Sequence, residues 1–110
     1  MYLDYNGKLK IYASGLAQNK LRLQIVGSAA RKVAKRLRMD LEIVRFKTDS
    51  ASIHVYYESG NEEIPLYSAR NGRLDEEEVY KALRNMIFVL SFHPKYSYLK
   101  GIRQEIMKLS

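Results

Sequence analysis

Apolar and polar residues alternate in several short stretches of the chain, which is the pattern of a half-buried β-strand. Residues 8–13, 41–48, 52–58 and 63–69 alternate in this way. Asn6-Gly7, before the first stretch, is typical of a tight hairpin turn. Short turn-forming segments separate the three later stretches, so these are predicted to pair as consecutive antiparallel strands.

Residues 16–26 have two interpretations. Apolar and polar side chains alternate over residues 21–25, which predicts a further strand. Apolar residues from this region onward also lie near helical spacing, so one long helix from about residue 16 is the alternative. Gly27 favours a break, because a glycine inside a helix costs about 1 kcal/mol relative to alanine.

Residues 29–38 are predicted to form a helix with Ser28 as its N-cap. Its apolar residues recur at i, i+3, i+4 and i+7, which makes a narrow stripe of Ala30, Val33, Ala34 and Leu37. The stripe predicts that one side of this helix packs on the sheet.

The last third of the chain is predicted to be helical. Asp75 and Glu78 have the spacing of a capping box, at the start of a helix that runs to about Phe92, before Pro94. Residues 86–90 are apolar all round, so they should be covered on several sides. A final helix beginning at Ser97, with a stripe of Leu99, Ile102, Ile106 and Leu109, is the nearest cover.

Together these elements predict a single α+β domain over residues 1–110, in the order ββ-α-βββ-α-α. About five strands form a mostly antiparallel sheet, with helices packed on one face and the other face open to water. Pro65 lacks a backbone donor, so the strand that contains it should lie at a sheet edge.

The net charge of +7 comes entirely from the first forty residues. Residues 1–40 hold nine basic and two acidic side chains, whereas residues 41–110 hold ten of each. A field of one sign that is confined to one part of a small domain attracts polyanions.

The predicted helix 29–38 carries no acid and five cations, which are Arg31, Lys32, Lys35, Arg36 and Arg38. Like charges at i, i+4 repel by roughly a few tenths of a kcal/mol, so a purely structural surface would mix both signs. The pattern predicts phosphate contacts, helped by backbone amides at the helix start after Ser28. The alternative is an ordinary solvated helix face.

The stretch from Gly27 through Lys35 resembles the start of the last helix in double-stranded-RNA-binding domains, where small residues precede a lysine cluster. The resemblance is short, and the helix that precedes this one in that family has no counterpart among the predicted elements. It implies phosphate contacts by this helix, without implying membership of the family.

The open face of the predicted sheet is a second candidate surface. If apolar residues such as Val44 and Phe46 point toward the helices, the opposite face carries Arg45, Lys47, His54, Tyr56 and Tyr67. Aromatic rings interleaved with cations suit the stacking of unpaired bases. The alternatives are ordinary cross-strand packing of the tyrosines and a homodimer interface.

Nothing in the sequence predicts catalysis. The chain has no cysteine and two histidines that are far apart, and no spacing of a metal or nucleophile site is present. We therefore expect no enzymatic activity, no metal and no cofactor. No apolar run approaches the ~20 residues of a membrane helix, and no signal peptide is recognisable, so we expect no membrane partner and a cytoplasmic location.

The sequence therefore predicts a basic, non-catalytic nucleic-acid-binding module, with DNA or RNA as its partner. Its contacts are expected from helix 29–38 and from the sheet residues Arg45, Lys47, Tyr56 and Tyr67. The alternative is a protein-interaction or homo-oligomerisation module without nucleic acid, motivated by the apolar segment 86–90 and the tyrosine-rich sheet face. A homodimer is compatible with both hypotheses.

Overall fold

A computed structural model describes residues 7–15, 19–46, 52–69 and 73–109. In chain order the elements are β1 (Lys8–Ser14), α1 (Asn19–Arg36), β2 (Asp40–Phe46), β3 (Ile53–Ser59), β4 (Glu62–Ala69), α2 (Glu76–Leu90), α3 (Ser97–Gly101) and α4 (Arg103–Met107). The α+β class is confirmed. Within the described ranges, no helix is long and apolar enough to cross a membrane.

The described strands form one mixed sheet in the order β2-β1-β3-β4. β1 pairs in parallel with β2 and antiparallel with β3, and β3 pairs antiparallel with β4. The parallel pair follows from the connection, because a helix between two neighbouring strands carries the chain back to the starting end of the sheet. The mostly antiparallel sheet that the sequence predicts is therefore confirmed in part.

The strand predicted over residues 21–25 is wrong, because this segment is the first half of α1. The described sheet has four strands instead of five, and the element order is β-α-βββ-α-α-α. Fully burying Val26, which precedes Gly27, stabilises the long helix by about 1.5–3 kcal/mol. That gain outweighs the cost of about 1 kcal/mol for a glycine at position 27.

The core lies between one face of the sheet and α1 and α2. Alternate residues of the two central strands are almost completely buried on that face, namely Leu9, Ile11, Ala13, Ile53, Val55 and Tyr57. The predicted stripe of α1 packs onto them and is buried as expected. Residues 1–6 lie outside the described part of the chain, so the hairpin turn predicted at Asn6-Gly7 is described only from Gly7 onward.

The two edge strands of the described sheet are β4 and β2. β4 is an edge strand, as Pro65 predicts, and the register shifts between Val55 and Tyr56. The shift places Tyr67 opposite Val55, on the face that the helices cover. β2 forms the other edge, next to α1.

The C-terminal helices cover α2 incompletely. Ile87 is fully buried, but 60% of Val89 is exposed, so the expectation that residues 86–90 are covered on several sides is wrong for the outer side. Asp75 is the N-cap of α2 but makes no side-chain capping hydrogen bond, so the predicted capping box does not form. The predicted stripe Leu99, Ile102, Ile106 and Leu109 is buried, although two short helices carry it instead of one.

Candidate nucleic-acid interface

The five cations predicted as phosphate contacts are all exposed, and together they border three hollows. Arg31 and Lys35 border a hollow beside Leu41 and Ile43 of β2. Lys35 reaches both sides of the helix, since it also borders the space between α1 and α2. The cations of α1 therefore form a surface that extends from the β2 edge of the sheet toward α2.

The side of this surface that faces α2 contains charges of both signs. Lys32, Arg36 and Arg38 border a cavity of about 880 Å³, together with Glu76 and Glu77 at the start of α2. This side is therefore less suited to a polyanion than its number of cations suggests.

Lys32 is neutralised within the fold. Its ammonium group donates a hydrogen bond to the carboxylate of Glu76. Hydrogen bonds from Lys32 and then from the Ser28 hydroxyl hold the pKa of Glu76 below its usual value. The Ser28 side chain therefore serves the contact between α1 and α2.

The helix start predicted at Ser28 does not exist, because α1 begins nine residues earlier, at Asn19. The backbone amides after Ser28 point along an uninterrupted helix, where N–H groups bond to the preceding turn. The predicted anion site at these amides is therefore wrong. The resemblance to the start of a helix in double-stranded-RNA-binding domains is limited to residue types, because here the stretch lies in mid-helix.

Three cations of this surface make no ion pair with the described residues. No described carboxylate oxygen lies within 4.0 Å of the charged groups of Arg31, Lys35 or Arg36. Their positive field is therefore directed to solvent, where it can act on a bound anion.

Arg45 extends this surface across the sheet edge. It lies opposite Ala13 in the parallel ladder, so it points to the helix side of the sheet. The prediction that Arg45 lies on the open face is wrong. The alternation of β2 is shifted by one residue from the predicted one, and a shift of one residue exchanges the two faces of a strand. With Lys20 and Arg31 of α1, Arg45 borders a groove of about 470 Å³, here called the α1–β2 groove.

None of the described residues that line the α1–β2 groove is acidic. Ser14, Asn19 and Gln24 supply hydroxyl and amide groups, and Leu23 and Ile43 supply apolar surface. The amide of Asn19 donates a hydrogen bond of 2.6 Å to the Ser14 hydroxyl and accepts one of 3.1 Å from Arg22. The groove thus combines three cations with fixed polar groups and apolar walls.

The sequence prediction missed Lys20, Gln24 and Gly27 as parts of this site. With Arg31 they follow the spacing i, i+4, i+7 and i+11, which lies along one side of a helix. This signal becomes visible only when residues 16–26 are taken as helical, and the strand interpretation hid it.

The remaining predicted sheet residues do not form one surface. Tyr56 lies on the open face and packs edge-to-face against Tyr12, with ring centroids 5.4 Å apart. Tyr67 lies on the helix face instead, where burial raises the pKa of its phenol. Val44 and Phe46 are on the open face, contrary to prediction, and Lys47 lies outside the described residues.

The open face is not positively charged. Among its described residues, Lys8 and Lys10 share the surface with four carboxylates, those of Asp40, Glu42, Glu58 and Glu63. Lys8 lies 2.7 Å from Glu42, and Lys10 lies 3.0 Å from Glu63. The hydrogen bond to Glu63 is the main cause of the raised pKa of Lys10. These ion pairs remove the field that a polyanion needs.

Within the described ranges, no three His, Cys, Asp or Glu side chains are grouped so that they could hold a metal ion. Comparison of the chain with protein-family models, with curated proteins and with solved structures found no match. The functional proposal therefore depends on the geometry and charge of the residues described above.

Proposed function

We propose that this protein is a non-catalytic nucleic-acid-binding module whose interface is the β2-facing side of α1. The observation that carries the proposal is the convergence of Lys20, Arg31 and Arg45 on one groove lined by no described carboxylate. One further exposed cation, Lys35, continues this interface along α1.

The distribution of ion pairs supports this location over the open sheet face. Lys8, Lys10 and Lys32 are each held by carboxylates, which come from later segments of the chain. Neutralisation of phosphates by cations releases condensed counterions and supplies most of the affinity of such contacts. The four interface cations satisfy this requirement, and the paired lysines do not.

The proposal is tested by measuring the fluorescence anisotropy of labelled single- and double-stranded DNA and RNA at two salt concentrations. Four phosphate contacts predict a log–log salt slope of about −2.8 on a single strand, and a duplex that reached all four cations would give about −3.6. Absence of association with all four nucleic acids at low ionic strength would remove the proposal.

A pair of charge-reversed variants locates the interface. Each lost contact on a single strand costs about fivefold in affinity at about 0.1 M salt, so Arg31→Glu with Lys35→Glu should weaken binding at least about 25-fold. Lys100→Glu with Lys108→Glu is the matched control, because both lysines are exposed and have no ion pair with described residues. It changes the net charge equally, so equal losses in the two variants would mean that binding follows net charge alone.

Self-association is a second candidate function, favoured by the exposed apolar side of α2. Val89 and Phe92 are 60% and 58% exposed, one helical turn apart. Light scattering at rising protein concentration tests it, with Val89→Lys as the variant. A dimer that Val89→Lys dissociates supports this candidate, and a strict monomer at high concentration excludes it.

A further inference from the structure

The α1–β2 groove follows one side of α1 for most of the helix length. Lys20 and Arg31 are eleven residues apart in sequence, which corresponds to about 16 Å along a helix axis. Gln24 and Gly27 lie between them on the same side of the helix. Arg45 of β2 forms part of the opposite wall, so cations border the groove from both of its sides.

Gly27 keeps the middle of this groove open. It is buried, yet a Cβ atom built on it would meet no described heavy atom within 4 Å beyond its chain neighbours and the nearby backbone of α1. Close packing against a neighbour therefore does not account for a glycine here, although glycine weakens a helix. The missing side chain instead leaves space between α1 and β2, where any larger residue would project.

The groove presents the three kinds of group that a nucleotide needs. Its cations can hold a phosphate, and the Gln24 amide can form a hydrogen bond to the edge of a base. Leu23 and Ile43 provide apolar surface for a base or sugar ring. Its volume of about 470 Å³ falls within the range of about 300–1,000 Å³ that is usual for small-molecule sites. A stacked and paired base cannot enter a recess between a helix and a strand, so only an unpaired nucleotide fits.

We infer that the α1–β2 groove is a binding site for one unpaired nucleotide, with its phosphate held by Arg31 and Arg45. The inference deepens the proposed function and rests on it for the source of the nucleotide, which is a single strand. A free mononucleotide has the same chemistry, so the experiment includes both sources.

The first measurement is an NMR titration of the ¹⁵N-labelled protein with adenosine 5′-monophosphate. The expected result is a saturable shift of the backbone amide signals of Gly15, Gly27 and Arg45, with no shift at Lys100. The second measurement compares the binding of a labelled single-stranded decamer with that of a blunt duplex of equal length. The single strand should bind at least about tenfold more tightly, since the duplex reaches only the cations outside the groove.

Gly27→Leu is the decisive variant, because its side chain fills the groove without removing a charge. It should weaken binding of the single strand at least about tenfold, a loss that brings it close to the duplex affinity. Gly101→Leu is the matched control, since a Cβ at this exposed glycine also meets nothing within 4 Å and it lies outside the groove. Thermal melts of both variants establish that they are folded. Arg45→Gln, compared with Lys108→Gln, provides a second variant on another element.

The outcomes separate this inference from the proposed function. If the single strand binds wild type and Gly27→Leu equally, or if the duplex binds as tightly as the single strand, the nucleotide site is overturned and nucleic-acid binding stands. If the mononucleotide shifts the amide signals of the groove residues but no oligonucleotide binds, the site is upheld for free nucleotides and the proposed function fails. If neither ligand binds, both are overturned.

Discussion

The ammonium group of Lys32 on α1 donates a hydrogen bond to the carboxylate of Glu76 in the first turn of α2. The two residues are 44 positions apart in sequence, and the contact joins the two long helices of the fold. It also separates Lys32 from Arg31 and Lys35, which make no ion pair with the described residues. That division has a direct consequence for binding.

Lys32 and Lys35 should contribute unequally to nucleic-acid binding. Lys35→Gln removes a solvent-facing cation and should reduce the magnitude of the log–log salt slope by about 0.7 on a single strand. Lys32→Gln should change the slope less, because Glu76 already competes with phosphate for this ammonium group. Anisotropy titrations over a series of salt concentrations measure both slopes. Equal changes would show that the ion pair opens at no cost when nucleic acid binds.

Arg38 adopts a left-handed backbone conformation, with φ of 56°, at the end of α1. The amide of Met39 bonds the carbonyl of Ala34 at 2.8 Å, and the amide of Arg38 bonds that of Lys35 at 3.3 Å, which is the Schellman arrangement. Glycine usually occupies this position, because a side chain there costs about 1–2 kcal/mol. The end of α1 therefore carries a local cost in stability.

The strain at Arg38 can be separated from its charge with two variants. Arg38→Gly should be more stable to urea than Arg38→Ala by about 1 kcal/mol, since both lose the same side chain and only glycine relieves the strain. Both variants lose the same charge, so any change in nucleic-acid binding should be the same in the two. If the two variants unfold at the same urea concentration, the left-handed conformation carries no strain.

Gly7 should tolerate no side chain. It has φ of +78°, and a Cβ atom there would lie 2.6–2.8 Å from ring atoms and the hydroxyl of the buried Tyr57. Gly7→Ala should therefore lower the free energy of unfolding by about 2–4 kcal/mol, from backbone strain and overpacking together. Urea denaturation followed by circular dichroism measures the change.

Gly60 is the control for Gly7. It has a similar φ of +63°, but a Cβ atom there would meet nothing within 4 Å. Gly60→Ala should cost only about 1–2 kcal/mol, from backbone strain alone. Equal losses at the two positions would mean that the Tyr57 ring moves aside without cost.

Glu63 makes stability dependent on acid pH. Hydrogen bonds from Tyr12, at 2.5 Å, and from Lys10 hold the pKa of Glu63 below its ordinary value of 4.5. A carboxyl group with a lowered pKa in the folded protein stabilises the fold above the pKa of the unfolded chain. This contribution is lost as the pH falls below 4.5 and through the pKa of the folded protein.

The midpoint of thermal unfolding should therefore fall less steeply between about pH 5 and pH 3 in Glu63→Gln than in wild type. Glu105→Gln is the control, because Glu105 forms no ion pair with the described residues. Its curve should stay parallel to that of wild type. A Glu63→Gln curve that is also parallel to wild type would exclude Glu63 as a source of the pH dependence.

The sequence was most informative where burial depends on neighbours along the chain. Alternation predicted β1 and the three later strands, and the stripe of Ala30, Val33, Ala34 and Leu37 predicted the buried side of α1. These patterns are reliable because one face of each element packs on the core, and the period of its apolar residues is the period of the element.

The sequence could not decide residues 21–25, which satisfy the strand pattern and the helix pattern at once. The choice depends on what the segment packs against, because burial of Val26 within one continuous helix outweighs the cost of Gly27. The strand interpretation of this segment also led to errors in the predicted nucleic-acid interface. It concealed the alignment of Lys20 with Arg31 and the parallel pairing of β2.

By itself, the sequence determined that the excess positive charge belongs to the first forty residues and that five cations lie within residues 31–38. Only the tertiary structure decided which cations of this part of the chain are left without a carboxylate partner and can act on a polyanion. Lys8, Lys10 and Lys32 meet carboxylates that are distant in sequence, whereas Lys20 and Arg31 meet Arg45 across the α1–β2 groove. The reason is physical: the field of a charge depends on its neighbours in space, and the sequence specifies only its neighbours along the chain.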